Sequence, residues 1–219
     1  MGGYDASYAQ YIDHTVLKAF TGRETLKKFC SEAKRYNFAS VCVNPYNIPY
    51  VADQLKGSGV KTCAVVGFPL GATTREVKAF ETRQAVENGA EEIDMVINVG
   101  AMKDGLYDVV LEDIKAVVAA AHPGVVVKAI IETCYLTDGE KVKACELARE
   151  AGADFVKTSS GFGAGGATVE DVKLMKQTVG DSMRVKASTG IDDRGICDAM
   201  LAAGAVRMGT SKGILIVNG

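Results

Sequence analysis

The sequence predicts a single (β/α)8 barrel, in which parallel strands alternate with helices. Eight β-branched or aromatic runs alternate with amphipathic helical patterns along the 219 residues. Their spacing of roughly 22 to 33 residues suits right-handed βαβ units. A glycine suited to a left-handed helix end precedes three of the runs, at Gly89, Gly152 and Gly204. Eight such units close into a barrel, and a doubly wound open sheet is the alternative.

The length of the chain fits one domain. A chain of 219 residues with 47% hydrophobic residues can bury about 70% of the surface that it exposes when unfolded. We therefore expect a single barrel domain over residues 1–219, with residues 1–9 as a short lead-in.

The predicted strands are short runs rich in Val, Ile, Phe and Tyr. The first four lie at residues 11–14, 38–43, 60–68 and 93–98, and the last four at residues 125–132, 154–157, 184–186 and 205–208. Each is followed by a helical pattern, the most regular of which is the apolar stripe of residues 106–121. The final residues, after 212, are expected to form a short apolar tail.

Capping patterns predict where the helices begin. Reciprocal Thr/Glu capping boxes are predicted at Thr21-x-x-Glu24, Thr73-x-x-Glu76 and Thr137-x-x-Glu140. Asn44 and Pro45 suit an N-cap and a first helical position. Thr168 and the pair Asp192-Asp193 predict the starts of two later helices.

Two predicted strands end in lysine, which is an unusual residue for the end of a buried strand. Lys157 shares a strand face with Phe155 because side chains alternate, and Lys186 repeats this arrangement in the next strand. In a barrel the two ammonium groups should converge on one interior. Repulsion and desolvation lower the pKa of buried lysines, and a neutral amine attacks carbonyl carbon to form a Schiff base. The alternative is that both are solvated strand ends or partners in structural ion pairs.

Composition argues against macromolecular and membrane partners. Lys and Arg total 25 against 27 Asp and Glu, which gives a net charge of −2 and no basic footprint for nucleic acid or an anionic membrane. The expected partner is a small molecule.

Cysteine and histidine usage narrows the chemistry further. Six widely spaced cysteines without a C-x-x-C pair or a secretory leader indicate reduced thiols in a cytoplasmic protein. The two histidines are His14 and His122, the latter in a predicted helix-to-strand loop, and their spacing supplies neither a zinc site nor a Ser-His-Asp set. We expect no metal and no organic cofactor.

Two loops are suited to binding an anion. Phosphate in barrels is commonly held by the loops after strands seven and eight, here residues 188–191 and 209–212, which offer glycines, hydroxyls and backbone N–H groups. The alternative is that these residues only form turns. Gly161-x-Gly163-x-x-Gly166 matches a dinucleotide fingerprint, but it follows the sixth strand rather than the first, so it is weak evidence.

Charged residues also lie in the other strands. Lys128 and Glu132 share one strand face by parity, so both should point inward if one does. Together with Asp94 they would form a network of paired buried charges, whether or not it is catalytic. For Asp13, a structural hydrogen bond is the expected role.

Seven ordered motifs carry a resemblance to the deoxyribose-phosphate aldolase family across almost the whole chain. They are Tyr11-Ile12-Asp13-His14-Thr15, Val41-Cys42-Val43-Asn44-Pro45, Gly67-Phe68-Pro69-Leu70-Gly71, Glu92-Ile93-Asp94-Met95-Val96-Ile97-Asn98, Ile130-Ile131-Glu132-Thr133, Phe155-Val156-Lys157-Thr158-Ser159 and Val185-Lys186-Ala187-Ser188. The resemblance implies a class I aldolase that reversibly cleaves 2-deoxy-D-ribose 5-phosphate to D-glyceraldehyde 3-phosphate and acetaldehyde. We also expect a homo-oligomer.

The resemblance assigns roles to particular residues. Lys157 would form the Schiff base, Lys186 would keep its amine uncharged, and Asp94 would act in proton transfer. The implied substrate- and phosphate-binding residues are Thr158, Gly190, Gly209 and Ser211, and the implied supporting residues are Asp13, Cys42 and Lys128.

Three positions depart from the pattern that the resemblance implies. Thr189 stands where the family commonly has glycine, Lys212 replaces a common serine, and Ser160 replaces a common threonine. Thr189 is expected to restrict the approach of phosphate to the backbone, whereas Lys212 is expected to add positive charge. The alternatives are a barrel that binds a sugar phosphate without turnover and a lysine aldolase of another sugar phosphate.

Overall fold

The computed structural model describes residues 4–121 and 123–219, so His122 and the first three residues of the predicted lead-in lie outside the described residues. The strands are β1 (Ile12–Thr15), β2 (Ser40–Val43), β3 (Lys61–Val66), β4 (Glu92–Val96), β5 (Val126–Ile130), β6 (Phe155–Lys157), β7 (Arg184–Ser188) and β8 (Arg207–Thr210). All adjacent pairs are parallel and follow chain order, and β8 pairs with β1. This closure confirms the (β/α)8 barrel and excludes the open sheet.

Helices cover the outside of the barrel. They are α1 (Arg23–Tyr36), α2 (Ile48–Leu55), α3 (Arg75–Glu87), α4 (Val99–Lys103), α5 (Tyr107–Ala120), α6 (Asp138–Glu150), α7 (Val169–Val179), α8 (Arg194–Ala202) and α9 (Gly213–Asn218). Short 3-10 helices occupy Ala6–Tyr11, Pro45–Asn47 and Thr133–Tyr135. Among the helices described, none is both long enough and apolar enough to cross a membrane.

Some of the predicted caps form and others do not. Thr137 and Glu140 make the full reciprocal box, and Thr168 and Asp193 accept the expected backbone N–H groups. The box predicted at Thr21 is wrong: the N-cap of α1 is Gly22, because the N–H of Thr21 instead closes a turn on the carbonyl of Lys18.

The box predicted at Thr73 is displaced by one residue. Thr74 is the N-cap of α3, and its hydroxyl accepts the N–H of Val77. A capping box also needs a Glu or Gln three residues after the N-cap. That position is Val77, so no reciprocal box forms. Two successive threonines fit the pattern equally well, and the backbone conformation selects between them.

The structure contains two short helices that the hydrophobic pattern did not predict. The fourth strand ends at Val96 rather than at residue 98, because Asn98 caps α4 through the N–H of Ala101. The predicted apolar tail contains α9, whose Ile216 and Val217 are buried. Helices of five or six residues are too short to show a clear apolar stripe.

The barrel separates an apolar shell from a polar interior. The main core lies between strands and helices and includes Ile93, Ile114 and Val156. Within the barrel, a small apolar cluster of Leu17, Cys42, Cys63 and Val65 borders the charged residues described next.

Candidate active site

Lys157 and Lys186 meet inside the barrel. Their Cα atoms are register partners in the parallel β6–β7 pair, so their side chains point to the same side of the sheet. Their exposed fractions are 1% and 0%. The two Nζ atoms donate to the same Oδ2 of Asp94, at 2.8 and 2.7 Å respectively. The convergence expected from strand parity is therefore present.

Asp94 links three lysines. Its second oxygen, Oδ1, accepts from Lys128 Nζ at 2.9 Å and from the thiol of Cys63 at 3.3 Å. Burial by itself would raise the pKa of Asp94, but the ammonium groups of Lys128, Lys157 and Lys186 outweigh it and hold that pKa well below its ordinary value. The carboxylate therefore stays ionised inside the barrel.

A second layer of ion pairs lies below Asp94. Asp13 Oδ2 lies 2.5 Å from Lys186 Nζ, and Glu92 Oε2 lies 2.5 Å from Lys128 Nζ. Arg207 joins the two acids, with 2.5 Å to Asp13 and 3.1 Å to Glu92. Although burial opposes ionisation, these carboxylates raise the pKa of Lys128, Lys186 and Arg207.

We call these groups the charge network. Its cations are Lys128, Lys157, Lys186 and Arg207, and its carboxylates are Asp13, Glu92 and Asp94. The network thus holds one more potential cation than anions. Lys157 has the weakest compensation, since its carboxylate partner is Asp94 and that partner is shared with two other lysines.

Two thiols complete the interior beside Asp94. Cys42 and Cys63 are register partners on β2 and β3 and are fully buried. A hydrogen bond from Cys63 lowers the pKa of Cys42, and burial raises the pKa of Cys63. Their sulfurs and one Asp94 oxygen lie within 4.8 Å of one another, but a metal ion there would have to displace ammonium groups from Asp94.

A buried ion pair outside the barrel fixes the strand that carries Asp94. Lys78 of α3 donates to Asp113 of α5 at 2.5 Å and to the carbonyl of Val96 at 2.9 Å. Val96 ends β4 two residues after Asp94. The pair thereby ties two helices to the carboxyl end of β4.

A cavity of about 450 Å³ opens at the carboxyl ends of the strands. Its walls come from the β1–α1 loop and from the loops after β6, β7 and β8, and Lys157 lies in its lining. Of the charge network, all of whose members are described, only Lys157 lines this cavity. Lys157 is therefore the amine of these buried ion pairs that a ligand in the cavity can reach.

The loops after β7 and β8 form one wall of the cavity. Gly190, Gly209 and Ser211 all line it. A side chain at position 209 would be blocked, because a Cβ there would lie 2.4 Å from Ser188 Oγ. Thr189 also lines the cavity and has a φ of 75°, a left-handed conformation that favours glycine. These loops present backbone and hydroxyl groups close to Lys157.

Comparison of the sequence with models of protein families identifies the family of this barrel. The family model described as DeoC/LacD family aldolase matches residues 7–217. The chain belongs to the DeoC/LacD aldolase family.

Relatives in this family align along nearly the whole chain. A deoxyribose-phosphate aldolase of Carboxydothermus hydrogenoformans is 63% identical over 216 residues, which cover 96% of this chain and 94% of the relative. One from Clostridium tetani is 62% identical over 208 residues, covering 95% and 96% respectively. These matches confirm the resemblance drawn from the motifs.

Solved structures of aldolases are also similar to this chain. The deoxyribose phosphate aldolase of Aeropyrum pernix, described as a unique tetrameric structure, superposes with a TM-score of 0.90 at 31% identity, covering 97% of this chain and 90% of the other. A structure described as "QR15, an Aldolase" gives 0.91 at 41% identity, covering 95% and 93%.

Two residues expected at the substrate lie elsewhere in this aldolase. Thr158 is not part of the cavity lining: its hydroxyl accepts the N–H of Ser188 at 3.1 Å and donates to the carbonyl of the same residue at 3.3 Å, and so joins β6 to β7. Lys212 is exposed and is likewise absent from the lining. Thr158 therefore supports the end of β7, and its contact with substrate stays a prediction.

Glu132 takes a different position from the one that strand parity predicted. β5 ends at Ile130, and Glu132 lies beyond it with a φ of 55°. Its carboxylate accepts the N–H of Ser160 at 3.1 and 3.3 Å. Ser160 in turn accepts the N–H of Phe162 through its hydroxyl at 3.1 Å. Glu132 therefore shapes the loop after β6 instead of joining the charge network.

Sequence reasoning missed several residues of the aldolase site. Glu92 and Arg207 close the second layer of ion pairs, and Lys18 and Phe162 line the cavity. Glu92 is two residues before Asp94, so strand parity was a usable signal for it. No comparable signal marked Lys18, which lies in a loop.

Proposed function

We propose that the protein is a class I aldolase that reversibly cleaves 2-deoxy-D-ribose 5-phosphate to D-glyceraldehyde 3-phosphate and acetaldehyde. The observation that carries the proposal is a buried lysine, Lys157, that opens into a cavity bordered by the loops after β7 and β8, whose glycines and hydroxyls suit an anion. The names of the full-length relatives support this substrate.

The charge network supports Lys157 as the Schiff-base residue. A charge without a counter-charge is costly in a buried site, so a network of four potential cations and three carboxylates favours one neutral lysine. Lys128 and Lys186 each contact two carboxylates, whereas Lys157 shares one. Lys157 is therefore the proposed nucleophile, with Lys186 as the neighbouring cation.

The reaction follows from a neutral amine at this position. Lys157 adds to the C1 aldehyde of the open-chain sugar, and loss of water gives an iminium. Removal of the proton from the C3 hydroxyl breaks the C2–C3 bond and releases D-glyceraldehyde 3-phosphate. The electron pair passes to the iminium to form an enamine, which is protonated at C2 and hydrolysed to acetaldehyde and free Lys157.

Asp94 acts in this scheme chiefly as a fixed anion. The iminium carries a positive charge at the former Lys157 Nζ, where Asp94 Oδ2 lies 2.8 Å away in the free enzyme. Asp94 and Lys186 orient a water molecule that takes the proton from the C3 hydroxyl and later returns a proton to C2 of the enamine. Lys128 and Asp13 support the arrangement as ion-pair partners, and Cys42 packs beside it.

The loops after β7 and β8 are the proposed phosphate site. Backbone N–H groups and hydroxyls at Gly190, Gly209 and Ser211 suit phosphate oxygens. No metal and no organic cofactor is needed in this scheme.

We also propose a setting for the protein. Residues 1–219 act as one catalytic domain in the cytoplasm, where the buried free thiols stay reduced. The chain assembles as a homo-oligomer, since a relative of known structure is described as tetrameric and Tyr46, Leu70, Val77 and Phe80 expose large apolar side chains near one another on and beside α3.

Acetaldehyde release tests the function. The protein is incubated with 2-deoxy-D-ribose 5-phosphate in the presence of a chelator, and acetaldehyde is measured with an NADH-linked reductase. Treatment with substrate and borohydride should attach a stable adduct to Lys157, located by peptide mass spectrometry, and Lys157→Met should abolish both signals. Absence of acetaldehyde, or an adduct on another lysine with Lys157 unmodified, would overturn the proposal.

A further inference from the structure

Lys18 places a cation at the mouth of the cavity. It lies in the β1–α1 loop, is exposed, and lines the same cavity as Lys157. Its Nζ lies 5.4 Å from the ring centroid of Phe162, within the range of a cation–π contact. Among residues 4–121 and 123–219, no carboxylate lies within 4.0 Å of it.

The contact between Lys18 and Phe162 spans the two loops proposed for phosphate. Lys18 follows β1 and Phe162 follows β6, and in the closed barrel the strands between them on one side are β7 and β8. The loops after β7 and β8 line the same cavity as Lys18 and Phe162. The ammonium group of Lys18 is thus held at the edge of those loops.

Both ends of this contact are fixed. The carbonyl of Leu17 accepts from Asn44 Nδ2 at 3.1 Å, and the carbonyl of Lys18 accepts the N–H of Thr21 at 3.0 Å. The Phe162 ring is braced edge-on by Phe68, with centroids 5.3 Å apart. These contacts fix the backbone at Lys18 and the Phe162 ring, and the cation–π contact places the lysine side chain beside that ring at the cavity.

The positive charge of Lys18 matters because few other residues of the cavity lining are charged. The charged residues of the cavity lining are Lys18, Lys157 and Asp192. Lys157 is used for the Schiff base, and Asp192 repels an anion. A phosphate monoester carries about −1.5 to −2 charges at pH 7, which backbone N–H groups at Gly190 and Gly209 only partly offset.

We propose that Lys18 binds the substrate's phosphate group and confers the preference for phosphorylated over neutral sugars. The proposal rests on the proposed function and extends its phosphate site beyond the two glycine-rich loops. On binding, the ammonium group leaves the Phe162 face for a phosphate oxygen, and the aromatic contact holds it ready in the free enzyme.

The test compares two substrates in three variants. Cleavage of 2-deoxy-D-ribose 5-phosphate and of unphosphorylated 2-deoxy-D-ribose is measured in the wild type, Lys18→Met, Lys18→Arg and the control Lys27→Met. Methionine keeps an apolar stem against Phe162 and removes the charge. Lys27 is an exposed lysine of α1 outside the cavity lining, so its variant reports the loss of any nearby surface charge.

Lys18→Met should lower kcat/KM for the phosphorylated sugar by about ten-fold to a hundred-fold through KM, with kcat and the neutral sugar little changed. Lys18→Arg should retain most of the preference, and Lys27→Met should match the wild type. Equal losses on both sugars, or no loss in Lys18→Met, would overturn the role of Lys18. Failure of the wild type on both sugars would instead reject the proposed function.

Discussion

At the scale of single residues, the charge network is defined by unequal sharing of carboxylates. Lys186 contacts both Asp13 and Asp94, whereas Lys157 contacts Asp94 alone. Lys157 ends β6, whereas β7 continues past Lys186 to Ser188. The two lysines are register partners, so their different carboxylate contacts separate their proposed roles. The more strongly paired Lys186 is the proposed permanent cation, and the less strongly paired Lys157 is the proposed nucleophile.

This inequality predicts that two equivalent substitutions lower stability by different amounts. Lys186→Met leaves Asp13 without its lysine and should cost about 3 to 5 kcal/mol in the free energy of unfolding. Lys157→Met leaves equal numbers of cations and carboxylates in the network and should cost much less. Urea unfolding of both variants provides the comparison, and a larger loss in Lys157→Met would contradict the charge count.

His14 provides a pH-dependent contribution to stability. It is buried, stacks on Phe29 with centroids 4.2 Å apart, and bonds to Glu32 at 2.8 Å. Burial lowers its pKa more than Glu32 raises it. Histidine in the unfolded chain has a pKa of about 6.5, so below this pH the unfolded chain binds more protons than the folded one. The contribution of His14 to stability is therefore present above about pH 6.5 and is lost as the pH falls below it.

The pH dependence of unfolding should change in His14→Gln. Glutamine can still donate to Glu32 but does not titrate, so the loss of melting temperature between pH 7.5 and pH 5.5 should be smaller in the variant than in the wild type. The two proteins should run in parallel between pH 7.5 and 8.5. Parallel curves below pH 6.5 would show that another group accounts for the acid dependence.

At the scale of elements, local sequence signals are reliable where a side chain and a backbone group close a contact within one turn. The capping box of α6 forms as predicted, with the N–H of Thr137 bonded to Glu140 at 2.7 Å. The same pattern at Thr21 fails because a turn from Lys18 takes its N–H. A pattern of two residues cannot exclude a competing turn that lies outside it.

The contrast between the two patterns can be measured. Thr137→Ala should lower the free energy of unfolding by about 1 kcal/mol, the ordinary value of an N-cap, since it removes one half of a working box. Thr21→Ala should have a much smaller effect because Thr21 caps no helix. If thermal or urea unfolding showed equal losses of stability in the two variants, the two threonines would contribute equally and the contrast would be rejected.

At the scale of the whole molecule, barrel closure brings distant segments together. Asp94 from β4 meets Lys186 from β7, and Asp13 from β1 meets Arg207 from β8. Closure also sets Lys18 of the β1–α1 loop against Phe162 of the loop after β6. None of these contacts follows from neighbouring positions in the chain.

The proposed homo-oligomer is testable at this scale. Phe80 and Leu70 expose 59% and 75% of their surface beside a groove on the outside of the barrel, away from the cavity that Lys157 lines. If this face joins two copies of the chain, Phe80→Glu should shift the mass measured by light scattering toward the monomer, because a buried unpaired charge is costly. Leu106→Glu, on another exposed apolar residue, is the control.

The light-scattering result has a clear counter-outcome. A wild-type protein that is monomeric at micromolar concentration would reject the assembly itself. A mass unchanged by Phe80→Glu but lowered by Leu106→Glu would place the interface on a different face.

The sequence alone determined the class of the fold and the chemistry available to it. Alternation along each strand placed Lys157 and Lys186 on the interior face, and the order of strands and helices predicted the barrel, because both depend on local periodicity. The tertiary structure decided which carboxylates each lysine shares, that Thr158 supports a loop, and that Lys18 reaches the cavity. Those outcomes depend on barrel closure and on distances between loops, which no local pattern in the chain encodes.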